Sequence, residues 1–480
     1  MSGRTRTLDC DRAMKSRLLT IFVPAIRLKC IPCVAGLREH NVQVLRSNLQ
    51  ISSTTQAFRG NAGLIVLLGL LAIVYGAILV VTARSHYMQD ELRYVEHADR
   101  IAQGKWTNHD DGTIENGPLF PLLLGGLKRV GLPYAAARIV NAVLLLSSLV
   151  ILYRTFIMMA LSRKWSLCGV AAIGLYIPIL KDMTFIHTEA LSFFLICGFS
   201  YFFLDSCRRE RWRGSALAAA VLLAALCMNR VFFGWVLLAG LVCVLCFLPF
   251  NAARAKAIRA VAILSLAFVL CVPYLSFTFS VTGKVLCWST NGGELMYWMA
   301  SPYEEEYGNW FSSRDVSANP DLERNHGEVF RTAATMSAAE QQEYFLSLAR
   351  RNMRQSPLAY AKNWVWNISR LLYNRPRSYV NEDPKFLLYV FPHTLILFLL
   401  AVSLPIFWRY RTTIPLEIYL LMGFAVIYLG GITLLPATPR SFTIIVPVFL
   451  IWITYLLSEH LRISLVPANA KRVGERPNYR

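Results

Sequence analysis

Long apolar runs separated by short polar connections extend along most of this chain. A membrane-spanning helix needs about 20 consecutive, mostly apolar residues. Runs near that length cover residues 63–83, 137–158, 166–180, 189–204, 257–280, 387–407, 415–435 and 442–457. A further run, residues 214–250, is too long for one helix and is interrupted at Asn229 and Arg230, so it predicts two helices. We therefore predict an all-α integral membrane protein with about ten transmembrane helices.

Lysine and arginine are concentrated in alternate connections between these helices, as is typical of cytoplasmic loops. With a cytoplasmic N-terminus, the same side receives the basic residues Arg163, Lys164, Arg208, Arg209, Arg211, Arg213, Arg254, Lys256, Arg259, Arg409, Arg411, Lys471 and Arg472. The opposite side receives the loop 84–136, the turns at 181–188, 229–231 and 436–441, and the segment 281–385. The pattern predicts a basic cytoplasmic face.

These features divide the chain into five parts. The predicted parts are a basic cytoplasmic tail (1–60), a transmembrane core (61–280) that includes the first external loop (84–136), an external segment (281–385), C-terminal transmembrane helices (386–460) and a second basic cytoplasmic tail (461–480). In the external segment, residues 356–373 carry Tyr360, Trp364 and Trp366 among basic residues. This composition suits either a helix in the membrane interface or an ordinary half-buried helix.

Composition agrees with a membrane location and argues against a nucleic-acid ligand. Of 480 residues, 55% are hydrophobic and only 16% are charged, although the formal net charge is +20. The basic residues interrupt apolar runs instead of forming one face of a soluble fold, so we expect no nucleic-acid partner. Many of the eleven cysteines lie within apolar runs, and the Cys-x-x-Cys pair Cys30 and Cys33 has no second pair nearby. No disulfide framework or zinc site follows.

The first external loop opens with adjacent carboxylates, Asp90 and Glu91, directly after a membrane helix. A carboxylate in such a partly dehydrated place can be tuned to act as a base. Ionisable residues from other connections on the same side are Arg138, Lys181, Asp182, His187, Glu189, Arg230 and Arg440. Charges at helix ends are costly, so these residues are candidates for a functional site, with structural ion pairs as the competing interpretation.

The residues around the first external loop occur in a distinctive order. They are Asp90, Glu91, Tyr94, Gly104, Pro118, Leu119 and Arg138, followed by Glu189, Arg230 and a Ser-Pro-x-x-Tyr segment from Ser356 to Tyr360. In this order the chain resembles the polyprenyl-phosphate-sugar glycosyltransferases of the GT-C fold, which include protein O-mannosyltransferases and the aminoarabinose transferases of lipid A. The resemblance covers roughly residues 63–373. The chain departs from the pattern of this family in two respects. It has no clear second aspartate motif, for which only Asp182 is suitably placed, and no recognisable metal site.

The resemblance implies a GT-C-like helical bundle that transfers a sugar from a polyprenyl phosphate to a hydroxyl acceptor on the non-cytoplasmic side. Such a reaction needs a base for the acceptor hydroxyl and fixed cations for the leaving phosphate. The candidate residues are catalytic Asp90 with Glu91 as the alternative; phosphate-binding Arg138, Arg230, Arg440 and, more weakly, Lys181; and substrate-binding Tyr94, Asp182, His187 and Glu189. No cofactor is assigned, and a divalent metal ion is left open.

The partners implied are a polyprenyl-phosphate sugar donor, a glycolipid, glycan or protein acceptor, and membrane lipids. The main alternative is a transporter or lipid flippase, because buried charges near helix ends are expected there as well, although we find no internal repeat. A structural subunit without catalysis would leave the clustered charges without a purpose. The single glycosylation sequon, at Asn367, favours a bacterial inner membrane with the site facing the periplasm or exterior. The sugar, the acceptor and the polyprenyl length stay open.

Overall fold

The secondary structure is almost entirely α-helical. The computed structural model describes residues 26–29, 53–247, 253–379, 384–460 and 462–465. Its helices are α1 (Ser53–Val81), α2 (Gln89–Ala102), α3 (Leu119–Arg129), α4 (Ala137–Met158), α5 (Arg163–Gly174), α6 (Ile177–Met183), α7 (Glu189–Arg208), α8 (Arg213–Asn229), α9 (Phe232–Phe247), α10 (Arg254–Thr282), α11 (Gly292–Met299), α12 (Ser313–Ala318), α13 (Pro320–Ala333), α14 (Ala338–Gln355), α15 (Pro357–Tyr373), α16 (Leu387–Tyr410), α17 (Leu416–Ile432) and α18 (Pro439–His460). The predicted all-α membrane bundle is confirmed.

Two short strands join the segments that precede and follow the helices. Strand β1 (Ile26–Lys29) pairs antiparallel with β2 (Arg462–Leu465), which brings these two segments together. Cys30 and Cys33, and most of the two predicted tails, lie outside the described residues.

Within the part of the chain that the structure describes, six helices are long and apolar enough to cross a membrane. They are Asn61–Val81, Tyr134–Met158, Glu189–Arg208, Arg254–Thr282, Pro384–Tyr410 and Pro439–Glu459. The pair α5 and α6 makes a seventh if counted as one span, and α8, α9 and α17 are apolar but shorter. The ten predicted transmembrane helices therefore correspond to ten apolar segments of the described chain. Six of these segments are single helices of full spanning length.

The prediction of one continuous helix over residues 166–180 is wrong. The chain breaks between α5 and α6, whose axes are bent by 53°. Proline disfavours helical geometry in the residue before it but suits the first turn of a helix, and Pro178 lies in the first turn of α6. The bend carries Lys181 and Asp182 towards the start of α7.

Polar contacts between helix termini define two ends of the bundle. At the first, which we call the Glu189 end, Glu189 at the start of α7 contacts Arg440 at the start of α18 and Arg230 between α8 and α9. At the second, the Glu417 end, Glu417 at the start of α17 contacts Lys256 at the start of α10. Successive membrane helices therefore run in opposite directions.

Helix α7 lies at the centre of the bundle and α1 at its edge. In the most apolar window of α7, 83% of the residues are buried, against 17% in α1. Helices α7 and α8 approach closely because Gly198 has no side chain; a Cβ there would lie 3.0 Å from Leu222. Helix α7 thus joins the two ends of the bundle through its middle.

The segment between α10 and α16 has a hydrophobic core of its own, contributed by α11 to α14. Trp298 and Phe345 are buried in it together with Phe311 and Leu348. Helix α15 packs against the bundle, and the sequon residue Asn367 donates two hydrogen bonds from Nδ2, to the carbonyls of Thr433 and Leu435 at 2.7 and 2.6 Å. Since Asn367 is fully buried, its side chain is not accessible for glycosylation in the folded protein.

Candidate active site

Helix α2 gives its two adjacent carboxylates different surroundings. One stripe of the helix is buried, Glu91, Tyr94, Val95 and Ala98, with the i, i+3, i+4, i+7 spacing of an amphipathic helix. Asp90 falls beside this stripe, and 36% of its side chain is exposed. Both residues lie in the first turn, where the helix dipole favours negative charge. Only one of the two is therefore accessible to a substrate.

Glu91 is fully buried, and both of its oxygens accept hydrogen bonds. Oε1 accepts from Arg84 at 2.7 Å, from the Ile186 N–H at 2.9 Å and from Arg138 at 3.2 Å, while Oε2 accepts from the Met88 N–H at 2.9 Å. Burial acts to raise the pKa of Glu91, but these hydrogen bonds hold it below its usual range. The carboxylate ties α2 to α4 and to the turn before α7. This geometry favours a structural role for Glu91 and Arg138, whose catalytic and phosphate-binding roles stay predictions.

Asp90 has one oxygen fixed and one open. Oδ2 accepts a hydrogen bond from Arg440 Nη2 at 2.8 Å, and Oδ1 has no hydrogen-bond partner among the described residues. Burial acts to raise the pKa of Asp90, but the charges of Arg440 and Arg93 outweigh it and hold the pKa below its usual range. The group is therefore an ionised carboxylate with a lone pair available for a proton.

Arg440, in the first turn of α18, joins three parts of the site. Besides Asp90, it contacts His187 Nδ1 through Nη1 at 3.1 Å and Glu189 Oε1 through Nε at 3.6 Å. A guanidinium can only donate, so His187 Nδ1 must accept, which assigns the ring proton to Nε2. Burial, with Arg440 nearby, lowers the pKa of His187 to about 4, so the imidazole is neutral at pH 7. His187 thus offers a neutral N–H donor.

Two further carboxylates lie deeper. Glu189 is 2% exposed and shares Oε1 between Arg440 and Arg230, the latter at 3.4 Å. Asp182 is 3% exposed and interacts electrostatically with Glu189 and Arg440. The side chain of Arg230 is 24% exposed, and its only hydrogen bond among the described residues is to Glu189. Its remaining N–H groups are free to bind an anion.

The other two predicted site residues lie at the margin. Lys181 donates from Nζ to the Tyr389 hydroxyl on α16 at 2.7 Å and lies 5.0 Å from the centre of that ring. Tyr94 is buried against Phe120, with ring centres 5.4 Å apart. The structure therefore joins Asp90, His187, Glu189, Arg230 and Arg440 in one network with Asp182 beside it, and sets Glu91 with Arg138 in a second.

Several buried polar atoms around this network lack a hydrogen-bond partner among the described residues. They are Arg93 Nε, Asn116 Nδ2, Arg138 Nε, Asp182 Oδ2, His187 Nε2, Glu189 Oε2 and Asn229 Oδ1. Buried polar groups are nearly always paired in folded proteins. Their concentration here indicates a place built for a polar ligand.

The donor set does not resemble a metal site. Among the described residues, no group of three or more His, Cys, Asp or Glu side chains is arranged to hold a metal ion. The position between Asp90 and Glu189 is taken by the Arg440 guanidinium. Positive charge at this point therefore comes from the chain itself.

Sequence reasoning missed Arg93, one turn after Asp90 on α2. Its guanidinium lies 3.3 Å from Glu115 Oε2 and faces the Tyr94 ring. Burial acts to lower the pKa of Arg93, but the neighbouring negative groups raise it, so the charge is permanent. The signal was present, because residues three apart on a helix are neighbours.

A second missed residue, Glu294, comes from the external segment. The Thr290 N–H donates to the Ile114 carbonyl at 2.8 Å, which brings α11 to the first loop. Glu294 Oε1 accepts from Trp310 Nε1 at 3.0 Å. Burial, followed by the negative charge of Glu115, raises the pKa of Glu294 to about 7. No local sequence pattern reports this pairing.

The fold and the site together define a multi-pass integral membrane protein with a buried, charged site at one end of its helical bundle. Comparison by sequence finds no matching family model and no matching curated protein. Among solved structures, the chain is similar to the crystal structure of ArnT from Cupriavidus metallidurans bound to undecaprenyl phosphate. That match has a TM-score of 0.38 and 14% identity, and it covers 82% of this chain and 77% of that chain.

Proposed function

We propose that this protein is a membrane glycosyltransferase that moves a sugar from a polyprenyl-phosphate donor to a hydroxyl acceptor. The observation that carries the proposal is the geometry of Asp90, whose Oδ2 is fixed by Arg440 while Oδ1 stays open. A base in a defined position, beside cations and an imidazole N–H donor, is what acceptor activation next to a phosphate leaving group requires. The order of residues around the first external loop supports the same chemistry.

In this reaction the acceptor hydroxyl gives its proton to Asp90 Oδ1 as its oxygen attacks the anomeric carbon of the sugar. The bond between that carbon and the phosphate oxygen breaks, and its electron pair leaves with polyprenyl phosphate. Attack from the side opposite the leaving group inverts the anomeric carbon. One carboxylate is sufficient, and Arg440 holds it in place and keeps it ionised.

The leaving phosphate gains negative charge and needs fixed positive groups. Arg230 is the best placed of the predicted cations, because its contact with Glu189 at 3.4 Å leaves most of its donors unused. Arg93 adds a second cation one helical turn from Asp90. Arg440 already pairs with the carboxylates of Asp90 and Glu189, so we assign it the role of positioning Asp90 and not of binding the phosphate. His187 Nε2–H is placed to donate to a sugar or phosphate oxygen.

The test is incubation of the purified protein with polyprenyl-phosphate sugars and hydroxyl acceptors, with detection of released polyprenyl phosphate. Release that depends on both substrates and disappears in Asp90→Asn supports the proposal. Movement of an intact lipid-linked sugar across vesicle membranes without cleavage would instead identify a flippase. Binding without turnover or transport would identify a structural subunit.

Sidedness is a separate part of the proposal: the Glu189 end faces the periplasm or exterior of a bacterial inner membrane. Cys207 and Cys287 are buried, so labelling requires new cysteines in a chain whose own are replaced. Asp110→Cys on the first loop should react with an impermeant thiol reagent from outside, and Lys164→Cys only from the cytoplasm. Reaction of both from one side would contradict this orientation.

A further inference from the structure

A cavity of about 730 Å³ lies between the edge helix α1 and helices α4 and α7. It is at the Glu417 end of the bundle, because its lining includes the last turns of α4 and α7. Its wall towards the middle of the bundle is apolar and includes Leu64 and Leu68 of α1. Ile65 and Ile157, which also line it, are 54% and 39% exposed, so the cavity opens on the lateral surface of the bundle.

The polar end of this cavity is positively charged. Arg154, Arg208 and Arg209 line it together with one acidic residue, Asp205. The Arg208 guanidinium already has a partner within the protein, because its Nη1 donates to the Met158 carbonyl at 2.7 Å. Arg209 pairs with Asp205 at 2.6 Å but keeps 65% of its side chain exposed. The cavity thus combines an apolar wall with three cations at its rim.

Arg154 is the least satisfied of these cations. It lies on α4 one turn before the helix ends and is exposed, and its side chain makes no hydrogen bond or ion pair with any part of the chain that the structure describes. An arginine near the end of a membrane helix is costly unless a counter-ion or the interface satisfies it. A phosphate offers the bidentate partner that a guanidinium prefers.

We propose that this cavity binds an acidic membrane glycerophospholipid, with its phosphate between Arg154 and Arg209 and an acyl chain along Leu64 and Leu68. Basic pockets between membrane helices bind acidic lipid headgroups by this combination of contacts. The N-terminal tail is the less suitable occupant, because residues 1–52 carry nine lysines and arginines against three acidic residues. That charge would be repelled by the arginines. Lipid binding here is independent of the proposed sugar transfer, since Asp90 lies at the other end of the bundle.

The experiment uses native mass spectrometry of the delipidated full-length protein in detergent. Phosphatidylglycerol and phosphatidylcholine with identical acyl chains are added in turn, and the bound lipid is counted. We expect phosphatidylglycerol to be retained at least about tenfold more strongly, because the quaternary ammonium of phosphatidylcholine cancels the charge of its phosphate and is repelled by the arginines. Arg154→Ala should reduce retention of phosphatidylglycerol by about tenfold. Leu68→Trp, which fills the apolar wall and leaves the arginines intact, should reduce it as well.

Arg254→Ala is the matched control, because Arg254 is exposed at the same end of the bundle but does not line the cavity. Equal loss of binding in Arg254→Ala and Arg154→Ala would overturn the proposal in favour of diffuse surface attraction. Equal retention of phosphatidylcholine would overturn it by removing the role of charge. Displacement of phosphatidylglycerol by a lower concentration of polyprenyl phosphate would also overturn it, since the cavity would then be a donor site.

Discussion

Both ends of the bundle bury a glutamate in the first turn of a membrane helix, Glu189 in α7 and Glu417 in α17, and each is 2% exposed. Both oxygens of Glu417 have cationic partners, Lys256 at 2.8 Å and Arg208 at 3.5 Å. Glu189 shares Oε1 between two arginines, while its Oε2 has no hydrogen-bond partner among the described residues. The two residues have the same type, helix position and burial, and they differ in pairing.

The difference extends to the neighbours. At the Glu417 end, Asp205 accepts from Ser215 on one oxygen and pairs with Arg209 on the other, and none of these side chains has a buried polar atom without a partner among the described residues. At the Glu189 end, unpaired buried atoms occur on Asp182 and His187. A closed ion-pair network stabilises a fold, whereas an incompletely paired one is available for a ligand. Buried charge alone therefore does not indicate function.

The largest effect expected from this difference is a loss of catalysis at the Glu189 end. Asp90→Asn keeps the shape of the side chain but cannot accept a proton at neutral pH, so transfer should fall by about a hundredfold to ten-thousandfold. Thermal stability and donor binding should stay close to wild type. Asp110→Asn, on an exposed carboxylate of the same loop, is the control and should retain activity. Near-normal rates in Asp90→Asn would move the base to Asp182 or Glu189.

At the Glu417 end the expected effect is on stability. Glu417→Gln removes the negative charge between Lys256 and Arg208, which should lower the free energy of unfolding by roughly 1.5 to 3 kcal/mol. Transfer by the folded fraction should be unchanged. Thermal melting and activity below the melting range are the two measurements. If Glu417→Gln melts normally and loses transfer, the assignment of structural and catalytic roles to the two ends is reversed.

A smaller effect is expected for the donor phosphate. Arg230→Ala should weaken use of the donor by at least about tenfold, because a charge-assisted contact is lost. Arg230→Lys should recover only part of this, since lysine keeps the charge but lacks the planar fork. The measurement is kcat/KM for the lipid donor in both variants. Normal donor use by folded Arg230→Ala would assign the phosphate to Arg93 or Arg138.

The smallest effect concerns pH and the external segment. Because burial and Glu115 raise the pKa of Glu294 to about 7, its stabilising contribution is complete below the ordinary glutamate range and is lost as the pH rises through about 7. The melting temperature of the wild-type protein should therefore decline between pH 5 and 8. Glu294→Gln stays neutral and should show a flatter profile. Identical profiles would show that Glu294 does not titrate in this range.

The apolar runs predicted most helices because length and hydrophobicity are local properties of the sequence. The predicted run 137–158 has the same bounds as α4, and the interruption at Asn229 and Arg230 separates α8 from α9. The break between α5 and α6 was missed although Pro178 signalled it. The sequence is apolar on both sides of the proline, so hydropathy alone did not indicate the bend between the two helices.

The site was only partly predictable from the sequence. The pairing of Asp90 with Arg440 joins residues 350 positions apart, and no local pattern contains it. The burial of Glu91, in contrast to Asp90, could have been predicted from the sequence, because Glu91 begins the same buried stripe as Tyr94, Val95 and Ala98. A helical projection of residues 89–102 places Glu91 on the buried side and Asp90 on the more accessible side.

The position of Arg440 on α18, the last membrane helix that the structure describes, has a consequence for biogenesis. Polypeptides are synthesised from the N-terminus, and their earlier parts fold first. Until α18 is inserted, Asp90 and Glu189 lack the guanidinium that links them, and Glu189 has only its contact with Arg230; an incompletely paired buried carboxylate in a membrane protein is costly. Insertion of α18 therefore completes the ion-pair network of the Glu189 end and relieves this electrostatic penalty at the same time. A chain that stops before α18 therefore lacks the Arg440 contacts of both Asp90 and Glu189.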